Sequence, residues 1–179
     1  MKIRELYGII DSFCPKTLSC SWDNDGIMVS PSLDAEVKRV LLSLDATYEA
    51  VSYAADYGYD TLITHHPMLF RGAKSVSETN LSGRRIIRAL SSGVTVMSFH
   101  TRLDACEGGV NDELMKRLGF VTTGAFGDEE SPTLARFADI PPMTARELAC
   151  LVRDKLGCTA VRLNGKNDAV VRKIGVCGG

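Results

Sequence analysis

The chain holds three histidines, and each one follows an apolar run. His65 and His66 stand together after Thr61-Leu62-Ile63-Thr64 and immediately before Pro67. His100 closes the run Val94 to Phe99, and Asp104 comes four places later. A further acid, Asp45, follows the run Val37 to Leu44. Imidazole and carboxylate together form the usual donor set for zinc, iron, manganese or nickel. The carboxyl ends of buried parallel strands are where α/β proteins place their ligands. The pattern points to a metal site built from His65, His66, His100 and Asp104.

Neighbouring residues of a strand face opposite ways, so His65 and His66 can share a site only where the strand has ended and the backbone bends. Pro67 favours such a bend, because it restricts His66 and supplies no ladder N–H. For an isolated His-His pair the preferred reading is a partly buried setting with one imidazole hydrogen-bonded and the other solvated. The equivalent strand-end position of His100 favours the metal. Asp104 reads either as the cap of a local turn or as a donor presented with His100 on one helical turn. Asp45 reads either as the cap of the following helix or as a catalytic acid or base, or a partner that orients a histidine. Cys106 and Glu107 are adjacent, but nothing specific supports a cysteine nucleophile there. Zinc-like ions take about four donors. Three histidines and one aspartate can therefore complete one ion, and a second needs ligands from elsewhere.

The elements that must position these residues alternate. Ile3, Leu6, Ile9, Ile10 and Phe13 have the spacing of an amphipathic helix over residues 2 to 13. A polar turn around Trp22, the sole tryptophan, leads to a short strand at Ile27 to Val29. Strands are expected at Val37 to Leu44, Tyr59 to Thr64 and Val94 to Phe99. Helices are expected at 46–57, Arg84 to Ser92 and Val110 to Leu118, with Gly58, Gly93 and Gly119 as their caps. This alternation predicts an α/β fold with a mainly parallel sheet flanked by helices. Right-handed crossovers then bring Asp45, His65, His66, His100 and Asp104 to one edge. Residues 1–123 are expected to form an N-terminal metal-binding domain and 124–179 a second, incomplete α/β segment. In that segment a strand is expected at Leu134 to Asp139, and Thr144 with Glu147 makes a capping box for a helix at 145–156. Further strands are expected at Thr159 to Leu163 and Val170 to Cys177. The run Val171 to Val176 echoes Val37 to Leu42, as though a second related unit starts there.

Composition excludes several classes. With 45% hydrophobic and 24% charged residues, the 179-residue chain can bury a core. Lys plus Arg (21) against Asp plus Glu (22) gives no broad basic surface, and there is no aromatic-basic stripe for nucleic acid. No apolar run approaches the roughly 18 residues of a membrane span, and the amino terminus lacks a signal-peptide core. The six cysteines form no C-x-x-C pair and read as reduced thiols, mostly core filler. A cytoplasmic protein is expected, without membrane or nucleic-acid partners.

The blocks Trp22-Asp23-Asn24 with Gly26, Leu44-Asp45-Ala46-Thr47, Ile63-Thr64-His65-His66-Pro67 with Phe70, and His100-Thr101-Arg102-Leu103-Asp104 followed by Gly108-Gly109-Val110-Asn111-Asp112 resemble the Nif-three-like, dinuclear-metal-centre family, whose members are often labelled GTP cyclohydrolase I type 2 homologues. The resemblance runs from about residue 3 to 179. It implies two divalent ions per subunit, with His65, His66 and Asp104 as ligands and His100 ligating or close by. It also implies two related halves, a homohexameric ring and a small-molecule substrate. Family members continue into a segment carrying a further histidine and, four residues on, a glutamate. No histidine follows His100 here, so the resemblance implies a chain shortened at its carboxyl end. The expected activity is metal-dependent hydrolysis of a nucleotide or other small phosphate-containing molecule, with Asp45 or a ligand carboxylate managing protons. The alternative is a non-catalytic, metal-dependent scaffold or regulatory protein.

Overall fold

The computed structural model describes residues 1–178. Its elements run α1 (Ile3–Phe13), β1 (Gly26–Val29), β2 (Val40–Ser43), α2 (Tyr48–Asp56), β3 (Thr61–Thr64), α3 (Leu81–Ser91), β4 (Thr95–Ser98), α4 (Thr101–Ala105), α5 (Val110–Leu118), β5 (Gly124–Phe126), β6 (Ala135–Thr144), α6 (Ala145–Leu156) and β7 (Val170–Val176). Tertiary contacts divide them into two compact units, Met1–Leu103 and Asp104–Gly179. That division falls earlier in the chain than residue 123.

In the first unit four strands lie in the order β1-β4-β3-β2. β2, β3 and β4 are mutually parallel, and β1 closes the edge antiparallel to β4. The α/β sequence rhythm is thus realised as a mainly parallel sheet with helical crossovers α2 and α3. Side-chain alternation sorts its two faces. Leu62 and Val96, paired across β3 and β4, pack with Val51 and Ala54 of α2 and Ile86 and Ala89 of α3. The next pair, Ile63 and Met97, turns the other way and packs with Ile3, Leu6 and Ile10 of α1.

The register has a direct consequence for the site. Ser43, Thr64 and Ser98 lie abreast as the last residues of the three parallel strands. Two residues beyond each stand Asp45, His66 and His100. The strands are shorter than their apolar runs, so all the candidate groups of this unit sit on backbone that has already left the ladder.

The second unit carries an antiparallel sheet, β5-β6-β7, with α5 and α6 packed through Met115, Leu118, Leu148 and Leu151 against Ala138, Ile140 and Ile174. Thr144 caps α6 by accepting from Glu147 N, while the Glu147 carboxylate accepts from Thr144 N, as the capping box predicts. The strand expected at Thr159 to Leu163 does not form. Val161 and Leu163 stay 38% exposed, so no buried face is available to drive pairing. Two cysteine groups also differ: Cys14, Cys20 and Cys106 are buried, whereas Cys150, Cys158 and Cys177 are exposed and not core filler. Among the described residues no helix is long and apolar enough to cross a membrane.

An acid-sensitive anchor ties this unit together. Asp112 accepts from Thr122 Oγ1, Gly108 N and Arg136 Nε at 2.9, 2.9 and 3.0 Å. Burial pushes its pKa up, but those three donors outweigh burial and hold it below the ordinary carboxylate value. A depressed native pKa contributes stability that is present above the unfolded value, about 3.9, and is lost as pH falls through the folded value. Asp112→Asn is therefore expected to flatten the loss of stability below about pH 4. Urea unfolding followed at several acidic pH values measures this, and an unchanged acid limb would contradict it.

Candidate metal centre

The bend at the end of β3 solves the problem posed by adjacent histidines. The ladder stops at Thr64, and His65-His66 follow as a bend. Thr64 Oγ1 donates to the His66 carbonyl at 2.8 Å, and Ser98 Oγ donates to the same oxygen at 3.3 Å. His66 N–H in turn reaches back to Leu44 O at 3.0 Å. Two buried hydroxyls therefore satisfy a carbonyl that leaves the sheet, as buried backbone groups require. The turn places both imidazoles on one side. Their ring centroids are 5.0 Å apart, and they lie 5.2 Å (His65) and 5.7 Å (His66) from that of His100.

One donor atom from each of His65, His66 and His100 lies within 4.8 Å of the others. Two nitrogens on a tetrahedral zinc at the usual bond length are about 3.3 Å apart. Modest side-chain rotation closes the difference.

The other ring nitrogens carry the more specific signal. His65 Nδ1 stands 3.0 Å from Phe99 O, His66 Nδ1 2.7 Å from Asp45 Oδ1, and His100 Nδ1 2.9 Å from Asp23 Oδ1. A carbonyl or carboxylate oxygen only accepts, so each imidazole donates Nδ1–H. In its neutral form each then carries the lone pair on Nε2. Metal-binding histidines are oriented in this way: one nitrogen held by an oxygen partner, the other left as a donor to the ion. This arrangement fits a divalent cation.

Asp23 is the best held of these partners. Its side chain is fully buried and also accepts from Thr101 Oγ1 at 2.6 Å and Thr101 N at 3.1 Å. Burial acts to raise its pKa; the bonds from the Thr101 hydroxyl, His100 and the Thr101 amide together outweigh it and keep the carboxylate below its ordinary value. Asp23 is thus ionised at neutral pH, which fixes the His100 tautomer.

Beneath it Asp25, also buried, accepts from Arg102 Nε at 2.9 Å, His100 N at 3.2 Å and Ser19 Oγ at 3.0 Å. It also pairs with Lys16. Arg102 is fully buried and reaches Asp11 at 2.7 Å, Cys14 O at 3.2 Å and Tyr7 Oη at 3.1 Å. The backbone entering His100 is therefore held by an ion-pair network.

Asp45 occupies a half-exposed position on His66 Nδ1 and does not cap α2; Thr47 does, accepting from Ala50 N at 3.1 Å. The capping reading therefore does not hold, and the carboxylate instead stands 2.7 Å from His66 Nδ1. Asp104 lies in α4 at the start of the second unit, buried, its carbonyl accepting from Asn111 Nδ2 at 3.3 Å. Sequence reasoning missed the roles of Asp23, Asp25 and Arg102. The available signal was two acids in a turn around the sole tryptophan, a composition that ordinary turns also have.

Fold and site together define an α/β protein with a histidine cluster able to bind metal at the carboxyl ends of its parallel strands. The chain belongs to the Duf34/NIF3 (NGG1p interacting factor 3) family, whose description matches residues 1–179. A relative from Clostridium perfringens, named GTP cyclohydrolase 1 type 2 homolog, is 32% identical over 185 residues, covering 100% of this chain and 70% of its own length. The crystal structure of a hypothetical protein from Staphylococcus aureus superposes with a TM-score of 0.90 at 27% identity, over 100% of this chain and 72% of that one. A Bacillus cereus protein described as related to NIF3 shares the fold, with a TM-score of 0.84 at 20% identity over 100% of this chain and 77% of that one.

Proposed function

We propose that this chain binds divalent metal through His65, His66, His100 and Asp104, and that the intact centre hydrolyses a nucleotide or other small phosphate-containing molecule. The observation carrying the metal reading is the oxygen partner on Nδ1 of all three imidazoles. Asp104 is assigned as the fourth donor because it stands four residues beyond His100, with residues 101–104 all within α4. The name carried by the Clostridium perfringens relative, and the family resemblance, support a nucleotide-like substrate. A pair of ions and a homohexameric ring belong to the same proposal, and the second ion needs donors beyond these four.

A divalent ion at this position supplies Lewis acidity, which makes water a usable nucleophile near neutral pH. The chain's own groups do the rest. Asp23, Phe99 O and Asp45 orient the imidazoles, and the half exposure of Asp45 supports its exchanging protons with solvent.

The test combines metal analysis of the purified protein with a hydrolysis screen over nucleotides, phosphoesters and cyclic amides. Turnover that is lost in His66→Ala and Asp104→Ala, with the oligomer unchanged by light scattering, is the expected result. Metal-dependent assembly with no turnover on any compound would replace the hydrolase with a scaffold.

A further inference from the structure

Beside the three imidazoles stand two large aromatic side chains that the core does not use. Trp22 is 58% exposed and Phe70 47% exposed. Their ring centroids are 6.1 Å apart and tilted by 58°, so they lean on one another without stacking face to face. Both meet His100 edge-on, Trp22 at 6.4 Å and 75° and Phe70 at 6.5 Å and 90°. They form a wall next to the donor cluster, with ring surface open to solvent.

The wall is held by its backbone on both sides. Trp22 directly precedes Asp23, whose carboxylate is anchored on His100 and Thr101. Phe70 follows Met68, which is buried in the core, and Leu69, whose carbonyl accepts from the Asn24 side chain. The turn bearing Trp22 and the segment bearing Phe70 are therefore tied to each other and to the histidine site. Isolated exposed apolar residues need no explanation. Two aromatic rings fixed together against a polar donor cluster are the arrangement by which pockets orient flat ligands.

We infer that Trp22 and Phe70 form a platform that stacks a planar heteroaromatic ring of nucleobase type and holds its substituents beside His65, His66 and His100. This rests on the proposed metal centre and adds the part of the ligand that it recognises. The size fits. A ring stacked on Trp22 lies about one aromatic thickness from it, while the His100 ring is 6.4 Å away, so a group on the stacked ring comes within contact range of the imidazoles. A sugar phosphate alone has no flat face with which to use this surface.

Trp22 is the sole tryptophan, so its fluorescence reports this place and nothing else. The experiment titrates the full chain, with and without added zinc, using guanosine 5′-monophosphate and, in parallel, ribose 5-phosphate. Saturable quenching by the nucleotide, and none by the sugar phosphate, is expected. Base–aromatic stacking is worth about 1–3 kcal/mol, so Phe70→Ala and Trp22→Ala should weaken nucleotide binding by about fivefold or more in equilibrium dialysis. Trp22→Phe should restore most of it, because a flat ring is retained. Zinc stoichiometry is measured on every variant and should not change. Normal zinc binding with equal response to the two ligands, or with no saturable response at millimolar nucleotide, would overturn the platform. Failure to bind zinc at all would instead overturn the metal centre.

Discussion

Arg102→Leu is expected to destabilise the first unit by about 3–5 kcal/mol, the cost of leaving a buried charge without its partner. Arg102 is fully enclosed, and the carboxylate facing it, Asp25, has a side chain with no exposure at all. Removing the guanidinium leaves Asp25 with Lys16, Ser19 and the His100 amide and takes away the donors to the Tyr7 hydroxyl and the Cys14 carbonyl, whereas Asp11 keeps its bond from Lys16 N. The double variant Arg102→Leu with Asp25→Leu should recover part of the loss, because it removes both buried charges together. Urea unfolding of the single and double variants measures both. A single variant within 1 kcal/mol, roughly the scale of an exposed pair, would mean that the network contributes little beyond packing. The same experiment bears on the site, since Asp25 also holds the backbone of His100.

Asp23→Asn is expected to weaken zinc binding by about 10–100-fold while leaving the fold intact, the range for loss of a partner that orients a metal-binding histidine. The amide can still offer an oxygen to His100 Nδ1, but it brings no negative charge and cannot accept from His100 and Thr101 with both of its heteroatoms. Asp45→Asn on His66 should fall at the lower end of that range, because Asp45 is half-exposed and water can replace its oxygen. Competition titrations with a chromophoric chelator give both affinities, with circular dichroism as the check on folding. Equal losses for the two variants would show that burial of the partner does not matter. No loss in either would remove the support that the Nδ1 contacts lend to a metal.

Much of the first unit was legible because its signals are local. Alternating apolar runs and glycine stops located α2, β3, α3 and β4 to within a few residues, as they did α5 in the second unit, and strand endings put Asp45, His65, His66 and His100 at one edge. The antiparallel pairing of β1 with β4 was not legible, since a four-residue strand carries no mark of its direction. The failed strand at Thr159 to Leu163 has the β-branched composition of a strand but none of the burial that stabilises one. Asp23 and Asp25 looked like turn formers, and only their pairing with His100 and Arg102, more than seventy residues away, reveals their work.

The order of residues alone determined which chemistry is available: three imidazoles, each placed just beyond a buried strand, in a chain with no other histidine. Tertiary structure decided how they are used. The bend held by Thr64 and Ser98 turns consecutive histidines to one side, and Asp23, Asp45 and the Phe99 carbonyl set which nitrogen of each ring carries the proton. A tautomer depends on what lies within 3 Å of a ring, and those neighbours come from distant parts of the chain that only folding brings together.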